Sequence, residues 1–207
     1  MTAVPKKYYT PAEYYELEAK ADYKSDYYNG EIYPCGEVGP DGQLISMAGG
    51  SVRHSLICMN VGGELRQALK GGPCKVVESN VRLRILATGL RTYPDVSVYC
   101  GQRQHDSEDP AGQTLLNPTV LFEVLSPSTE GYDRGIKASH YRRIESLRVL
   151  ALVSQTSPHV ELHVRGDDGK WVIEEREGMD AVIELGAISA RLPLSEIYAD
   201  VDFTTDR

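Results

Sequence analysis

Two carboxylates stand in runs that would otherwise be apolar. Asp95 lies in Tyr93-Pro94-Asp95-Val96-Ser97-Val98 and Glu123 in Val120-Leu121-Phe122-Glu123-Val124-Leu125. Both runs have the composition of buried strands. An ionised carboxylate taken out of water is costly unless it is paired, hydrogen-bonded or bound to a cation, so two on neighbouring strands suggest a site for a hard divalent ion. Strand alternation puts Asp95 on one face with Ser97 and Tyr99, and sets Glu123 between Leu121 and Leu125. In so apolar a setting Glu123 needs a nearby donor or cation.

Other residues have side chains that suit such a site. Lys137 falls near the start of a helix that follows the Glu123 strand, where it can extend over the strand's carboxyl end; the plainer alternative is a surface pair with Asp133 four residues earlier. Tyr141 lies one turn further on the same helical face, placed to bond Lys137 or a phosphate, or to fill core. His54, near the start of a long helix, carries an imidazole, a group that ordinarily titrates near neutral pH, and so suits phosphate contact or proton movement. A structural role for this lone histidine stays open.

Several of these residues belong to a wider pattern. Tyr93-Pro94-Asp95-Val96, Glu123-Val124-Leu125-Ser126-Pro127-Ser128, Tyr132-Asp133-Arg134-Gly135-Ile136-Lys137 and Tyr141-Arg142-Arg143-Ile144 resemble the Uma2 family of restriction-endonuclease-like proteins. The likeness runs from Thr10-Pro11-Ala12-Glu13-Tyr14 through Asn29-Gly30-Glu31-Ile32, Arg53-His54 and Gly71-Gly72-Pro73-Cys74 to Leu194-Ser195-Glu196-Ile197-Tyr198. It implies a PD-(D/E)XK fold and hydrolysis of DNA phosphodiesters. Mg²⁺ or Mn²⁺ held by Asp95, Glu123 and the Val124 carbonyl would polarise the phosphate and acidify water. Asp26 matches an acidic position of the family and is a third candidate metal ligand, set against a plain turn aspartate. Arg134 joins His54 and Tyr141 as a candidate for substrate binding. The parent motif carries a lysine two residues after the glutamate, but this chain has Leu125 there, so the resemblance makes Lys137 the relocated catalytic lysine. That departure keeps a noncatalytic binding or regulatory protein of the same fold as the alternative.

The elements that must position these groups are readable in outline. Thr10-Pro11-Ala12-Glu13 predicts a capped helix to about Lys20, and Tyr27–Tyr33 a hairpin or bent edge strand around Asn29-Gly30. Gly36–Gly50 reads as a long loop suited to a flap. Leu56, Ile57, Val61, Leu65 and Leu69 share one face of a helix that Gly71-Gly72-Pro73 ends. Strands are expected at Val76-Val77, Val81–Ile85, Pro94–Tyr99 and Thr119–Leu125, with a polar lid-like loop over Gly101–Asn117. A helix from about Asp133 to Glu145 and a strand at Leu147–Val153 follow. This order predicts a mixed α/β (α+β) sheet flanked by helices, with a nuclease core at about 51–153 of a single domain, 1–207. His159–Val164 and Trp171–Glu175, joined at Asp167-Asp168-Gly169, read as an appended hairpin. The tail over 192–201 is expected to pack through a short helical turn.

Composition narrows the function classes. The 207 residues carry 22 Lys and Arg against 30 Asp and Glu, a net charge of -8, which argues against nucleic-acid binding over the whole surface but not against a local basic groove. Arg82, Arg84 and Arg91, and Arg134, Lys137, Arg142, Arg143 and Arg148, are the basic clusters, to be weighed against merely solvated faces. The scattered Cys35, Cys58, Cys74 and Cys100 suggest neither a zinc cage nor a disulfide framework, and reduced, mostly buried thiols are expected. No run approaches a membrane span or a signal segment, so a cytoplasmic protein is expected. Phosphate-loop, G-x-S-x-G and H-E-x-x-H patterns are missing. Cutting both strands of a duplex favours paired sites, hence an expected homodimer that meets through the tyrosine-rich amino-terminal segment and the carboxyl-terminal hairpin.

Overall fold

The structure is a computed structural model that describes residues 7–35, 37–38, 44–46, 51–127 and 129–204. Helix α1 (Pro11–Glu18) opens with a reciprocal cap: Thr10 Oγ1 accepts from the Glu13 amide, and the Glu13 carboxylate accepts from the Thr10 amide. Strands β1 (Ser25–Tyr28) and β2 (Glu31–Pro34) pair antiparallel across Asn29-Gly30, whose φ angles of 50° and 83° fit a two-residue hairpin turn. Strands β3 (Glu37–Val38) and β4 (Leu44–Ser46) pair with each other. The rest of the expected 36–50 flap lies outside the described residues.

Helix α2 (Val52–Ala68) is capped by Ser51, which accepts from the His54 amide, and buries Ile57, Val61 and Leu65. Strands β5 (Cys74–Glu78), β6 (Arg82–Arg84), β7 (Arg91–Thr92), β8 (Val96–Cys100), β9 (Thr114–Leu115) and β10 (Val120–Leu125) follow. The chain then turns helical through α3 (Glu130–Tyr132), a π-helical stretch (Asp133–Lys137) and α4 (Ala138–Tyr141). Strands β11 (Val149–Ser154), β12 (His159–Arg165), β13 (Trp171–Glu177), β14 (Val182–Leu185) and β15 (Ala190–Pro193) lead to α5 (Leu194–Ile197).

The main sheet has six strands in the order β13-β12-β11-β10-β8-β5, and a smaller one runs β2-β1-β7-β6-β9. In the main sheet only β10 and β11 are parallel. Parallel neighbours need a crossover, and here the crossover is the helical run that carries Lys137 and Tyr141. Alternation divides β10 between two cores. Val120, Phe122 and Val124 pack with α2, β14, β15 and α5, whereas Leu121 and Leu125 pack with Ala138, Tyr141, Leu150, Leu152, Leu83 of β6 and Ile85 just after it. Glu123 shares the second face.

Three expectations need correction. The strands at 159–164 and 171–175 are no appendage: β12 pairs antiparallel with β11, so the hairpin extends the main sheet. The 101–117 segment is not a free lid, because β9 completes the small sheet, and Asp106 and Asp109 are buried against its arginines. The thiols are not all reduced. Cys74 and Cys100 are register partners on β5 and β8 and form a disulfide, a pairing that depends on strand register and was invisible in the spacing; Cys35 and Cys58 are free. Among the described residues no helix is long and apolar enough to cross a membrane.

Candidate functional site

Asp95 lies in the bend just before β8, where pairing with β10 places Val96 opposite Phe122. One further step along the ladder brings Asp95 beside the Glu123–Val124 backbone, and Asp95 Oδ2 accepts from the Val124 amide at 2.7 Å. The same oxygen lies 3.4 Å from His54 Nε2 on α2. Burial opposes the ionised form of Asp95, but the bond and charge of His54, with Lys137 and the Val124 amide, outweigh it and hold the carboxyl below its ordinary value.

Glu123 is almost fully buried, at 3% exposure. Tyr141 donates from its hydroxyl to Oε1 at 2.5 Å, and Lys137 Nζ lies 3.0 Å from Oε2 and 3.6 Å from Asp133 Oδ1. Asp133, Lys137 and Tyr141 recur at four-residue spacing and all turn inward from the crossover. Lys137 therefore faces Glu123 as well as Asp133, and the surface-pair alternative fails on burial. Despite Lys137, burial pushes the Glu123 carboxyl up to about 8, with the charges of Asp95 and Asp133 acting in the same direction. Burial also opposes the charge on Lys137, yet Glu123, Tyr141, Asp133 and Asp26 surround it and keep it firmly an ammonium.

The other expected site residues fare differently. Asp26, on β1, is buried and raised by that burial; it accepts weakly from Cys35 Sγ at 3.5 Å and Tyr132 Oη at 3.4 Å, and it shares the field of Lys137. Asp26, Asp95 and Glu123 do not form a cluster of three close ligand atoms. Among the described residues that description fits His54, Cys58 and Asp95, whose donor atoms all lie within 4.8 Å of one another. Sequence reasoning missed Cys58 as a neighbour of Asp95, although its spacing of four from His54 on a helix was the available signal. Tyr141 is wholly buried, so it touches Glu123 and not the solvent side from which a substrate would come. Arg134 is held by Glu130 at 2.7 Å and Glu161 at 2.6 Å.

Nor do the arginines of the small sheet line the site. Arg82 contacts Tyr93, Thr114 and Asp109, Arg84 pairs with Asp106 and Glu108, and Arg91 with Glu108 and Tyr15. Their charges are paired with neighbouring carboxylates and tyrosine rings, so neither of the two readings left open by the sequence, a basic groove or a merely solvated face, describes them.

Comparison with known proteins agrees with this architecture. Residues 37–194 match the Uma2 family, described as "Putative restriction endonuclease". An uncharacterised protein of Synechocystis sp. is 34% identical over 194 residues, covering 94% of this chain and 93% of the relative. A second from the same organism is 30% identical over 184 residues, covering 89% and 96%. The crystal structure of a "putative nuclease belonging to DUF820" from Anabaena variabilis superposes with a TM-score of 0.66 at 17% identity, covering 92% of this chain and 97% of that one. The shared fold is a mixed α+β, nuclease-like one, and with most of its length matched the chain belongs to the Uma2 family.

Proposed function

We propose that the protein is a metal-dependent endonuclease that hydrolyses DNA phosphodiesters, with Asp95 and Glu123 as metal ligands and Lys137 as the catalytic cation. The observation that carries this reading is Glu123: a carboxylate buried on a central strand, near the half-buried carboxylate of Asp95 and under a lysine delivered by the crossover helix. Core packing does not explain it, since an apolar residue would fill the space without cost. The oxygen donors suit Mg²⁺ or Mn²⁺, and Asp26 stands near enough to Lys137 to adjust the charge of the site. Such an ion, when bound, supplies Lewis-acid polarisation of the phosphate.

The chain's own residues have separable tasks. Val124 N–H and His54 orient Asp95, while Tyr141 and Lys137 fix the two Glu123 oxygens in place. Lys137, always charged, stabilises negative charge that develops on the phosphate and orients water by hydrogen bonding; it does not serve as a base. Leu125 at the usual lysine position does not count against catalysis, because Lys137 brings an ammonium to the same carboxylate from another element.

Assembly as a homodimer belongs to the same proposal. Tyr14, Tyr15 and Tyr27 are buried against one another, but Tyr8, Tyr23 and Tyr33 of the same amino-terminal segment are exposed at 62%, 38% and 47% and offer aromatic anchors. The outer strand β13 adds Val172 and Ile173, exposed at 54% and 59%. The test is cleavage of plasmid, linear and single-stranded DNA with and without Mg²⁺, alongside Asp95→Ala and a sedimentation measurement of mass. Metal-dependent cutting that Asp95→Ala abolishes supports the enzyme. Binding of DNA without cutting under every metal would leave the noncatalytic alternative.

A further inference from the structure

The donors around Asp95 differ on the two sides of that residue. Toward Glu123 they are oxygens, which suit a hard ion. Toward α2 they are the imidazole of His54 and the thiol of Cys58, one helical turn apart on one face. Sulfur and imidazole together select an ion of borderline softness.

The separations are informative. His54 Nε2 lies 3.4 Å from Asp95 Oδ2, and Cys58 Sγ lies 3.5 Å from His54 Nδ1 and 3.9 Å from Nε2. A charge-assisted N–H to carboxylate bond is normally about 2.7–2.9 Å, so the His54–Asp95 contact is long for an ion pair. With bonds of about 2.3 Å to sulfur and about 2.0–2.2 Å to nitrogen or oxygen, donors of a tetrahedral zinc ion stand about 3.3–3.7 Å apart. Taking Nε2 as ligand, the His54–Asp95 edge already has that length, the Cys58–His54 edge exceeds it by a few tenths of an ångström, and the Cys58–Asp95 edge lies within 4.8 Å, so side-chain rotation has to close the triangle around an ion. His54 and Asp95 are 23% and 17% exposed, so an ion can enter and the fourth position opens toward water.

We propose that His54, Cys58 and Asp95 form a second cation site, selective for zinc-like ions, and that its occupancy inhibits the nuclease centre by recruiting the Asp95 carboxylate. The inhibitory part rests on the function proposed above, whereas the binding part does not. Binding displaces the Cys58 thiol proton to solvent, leaving a thiolate–metal bond with no change of oxidation state. The site would make the enzyme responsive to free zinc: a hard ion alone leaves Asp95 facing Glu123, and a softer one draws it toward α2.

The experiment is a titration of the full-length protein with Co²⁺ as the spectroscopic probe and Zn²⁺ as competitor. Near-ultraviolet thiolate-to-cobalt charge transfer and the visible bands of a tetrahedral ion are expected at one equivalent, displaced by Zn²⁺ and unaffected by Mg²⁺. Cys58→Ser is expected to lose the charge-transfer band and weaken binding by about a hundredfold or more, since even the loss of an outer partner of a ligand weakens metal binding by about 10- to 100-fold. Cys35→Ser should keep the band. Absence of the band in the wild-type protein, or its survival in Cys58→Ser, overturns the site, and neither result depends on cleavage. Where Mg²⁺ supports cleavage, Zn²⁺ should inhibit the wild type at concentrations about a hundredfold below those needed for Cys58→Ser. Cobalt binding without zinc inhibition overturns the sharing of Asp95. Loss of all cleavage under every metal overturns the nuclease reading, while the band still decides the site.

Discussion

Two buried charged clusters differ in how their charges balance. In the small sheet Arg82, Arg84 and Arg91 meet Asp106, Glu108 and Asp109, and each guanidinium contacts at least one of these carboxylates directly. Around β10, by contrast, Asp26, Asp95, Glu123 and Asp133 all act on a single ammonium, Lys137, with His54 as the other basic group at Asp95. The balanced cluster ties the 101–117 segment and α1 to the sheet. The unbalanced one has more carboxylates than cations, and burial, with the charges of Asp95 and Asp133, raises Glu123 so that it holds a proton near neutral pH. The balance of acids and bases within a cluster is thus what sets the proposed ligand site apart from the paired arginines of the small sheet.

The sharpest way to break that contrast is to neutralise each cluster in turn. Glu123→Gln keeps the volume and removes the charge, and it is expected to lower Mg²⁺-dependent cleavage by about three orders of magnitude or more with folding intact, as expected where several kcal/mol of metal-derived stabilisation is lost. Single-turnover plasmid cleavage, with circular dichroism to check the fold, measures it. Cleavage within tenfold of wild type would put the metal centre elsewhere.

Arg91→Met should do the opposite. Removing one partner of a buried ion pair leaves the other charge uncompensated, at a cost of about 3–5 kcal/mol, although Glu108 is partly exposed and so brings the expectation to the lower end. Urea unfolding should show the loss, and the cleavage rate per folded molecule should not change. A variant as stable as wild type but inactive would reverse the roles assigned to the two clusters.

The contrast also shows what a sequence discloses. The meeting of Asp95 and Lys137 with the Glu123 strand was legible: the acids stand in apolar strands, and Lys137 lies at the start of the helix that follows, where the family resemblance also pointed. The α1 cap and the Asn29-Gly30 turn were legible because they are local. What escaped depends on register or on distant pairing. The disulfide requires β5 and β8 to align Cys74 with Cys100, and the arginines could not be assigned to Asp106 and Asp109 before β9 was known to join β6. The π-helical stretch also went unread, since the sequence predicts only a helix from about Asp133 and carries no separate signal for the wider turn. Exposed charge and buried, paired charge have the same composition.

A third prediction uses pH. Burial raises Glu123 from its ordinary value to about 8, so below that pH the metal-free protein holds a proton which a cation must displace. Apparent Mg²⁺ affinity should therefore rise by about tenfold per pH unit up to about pH 8 and then level off. Stability has the opposite sign. The folded value exceeds the unfolded 4.5, so the contribution of this group is full below pH 4.5 and is lost as pH rises through about 8. Metal-free wild type should lose ground against Glu123→Gln across that window, read as the difference between their thermal midpoints. A constant difference from pH 5 to pH 9 would show that Glu123 is already ionised and paired with Lys137, making this cluster as balanced as the other.

The smallest expected effect comes from Tyr141→Phe. The ring is wholly buried and phenylalanine fills the same space, so the change removes only the hydroxyl that donates to Glu123 Oε1. That bond favours the ionised carboxylate, and without it the Glu123 value should rise further. Cleavage at pH 7 should fall by about fivefold to tenfold, the size expected for one hydrogen bond to a charged group, and most of the loss should disappear at pH 9. Lys137, by comparison, cannot be rescued by alkaline pH, because its role is a permanent charge. A loss in Tyr141→Phe that is independent of pH would mean that the hydroxyl positions Glu123 without tuning its charge, and the site would then depend on geometry more than on the excess of carboxylate.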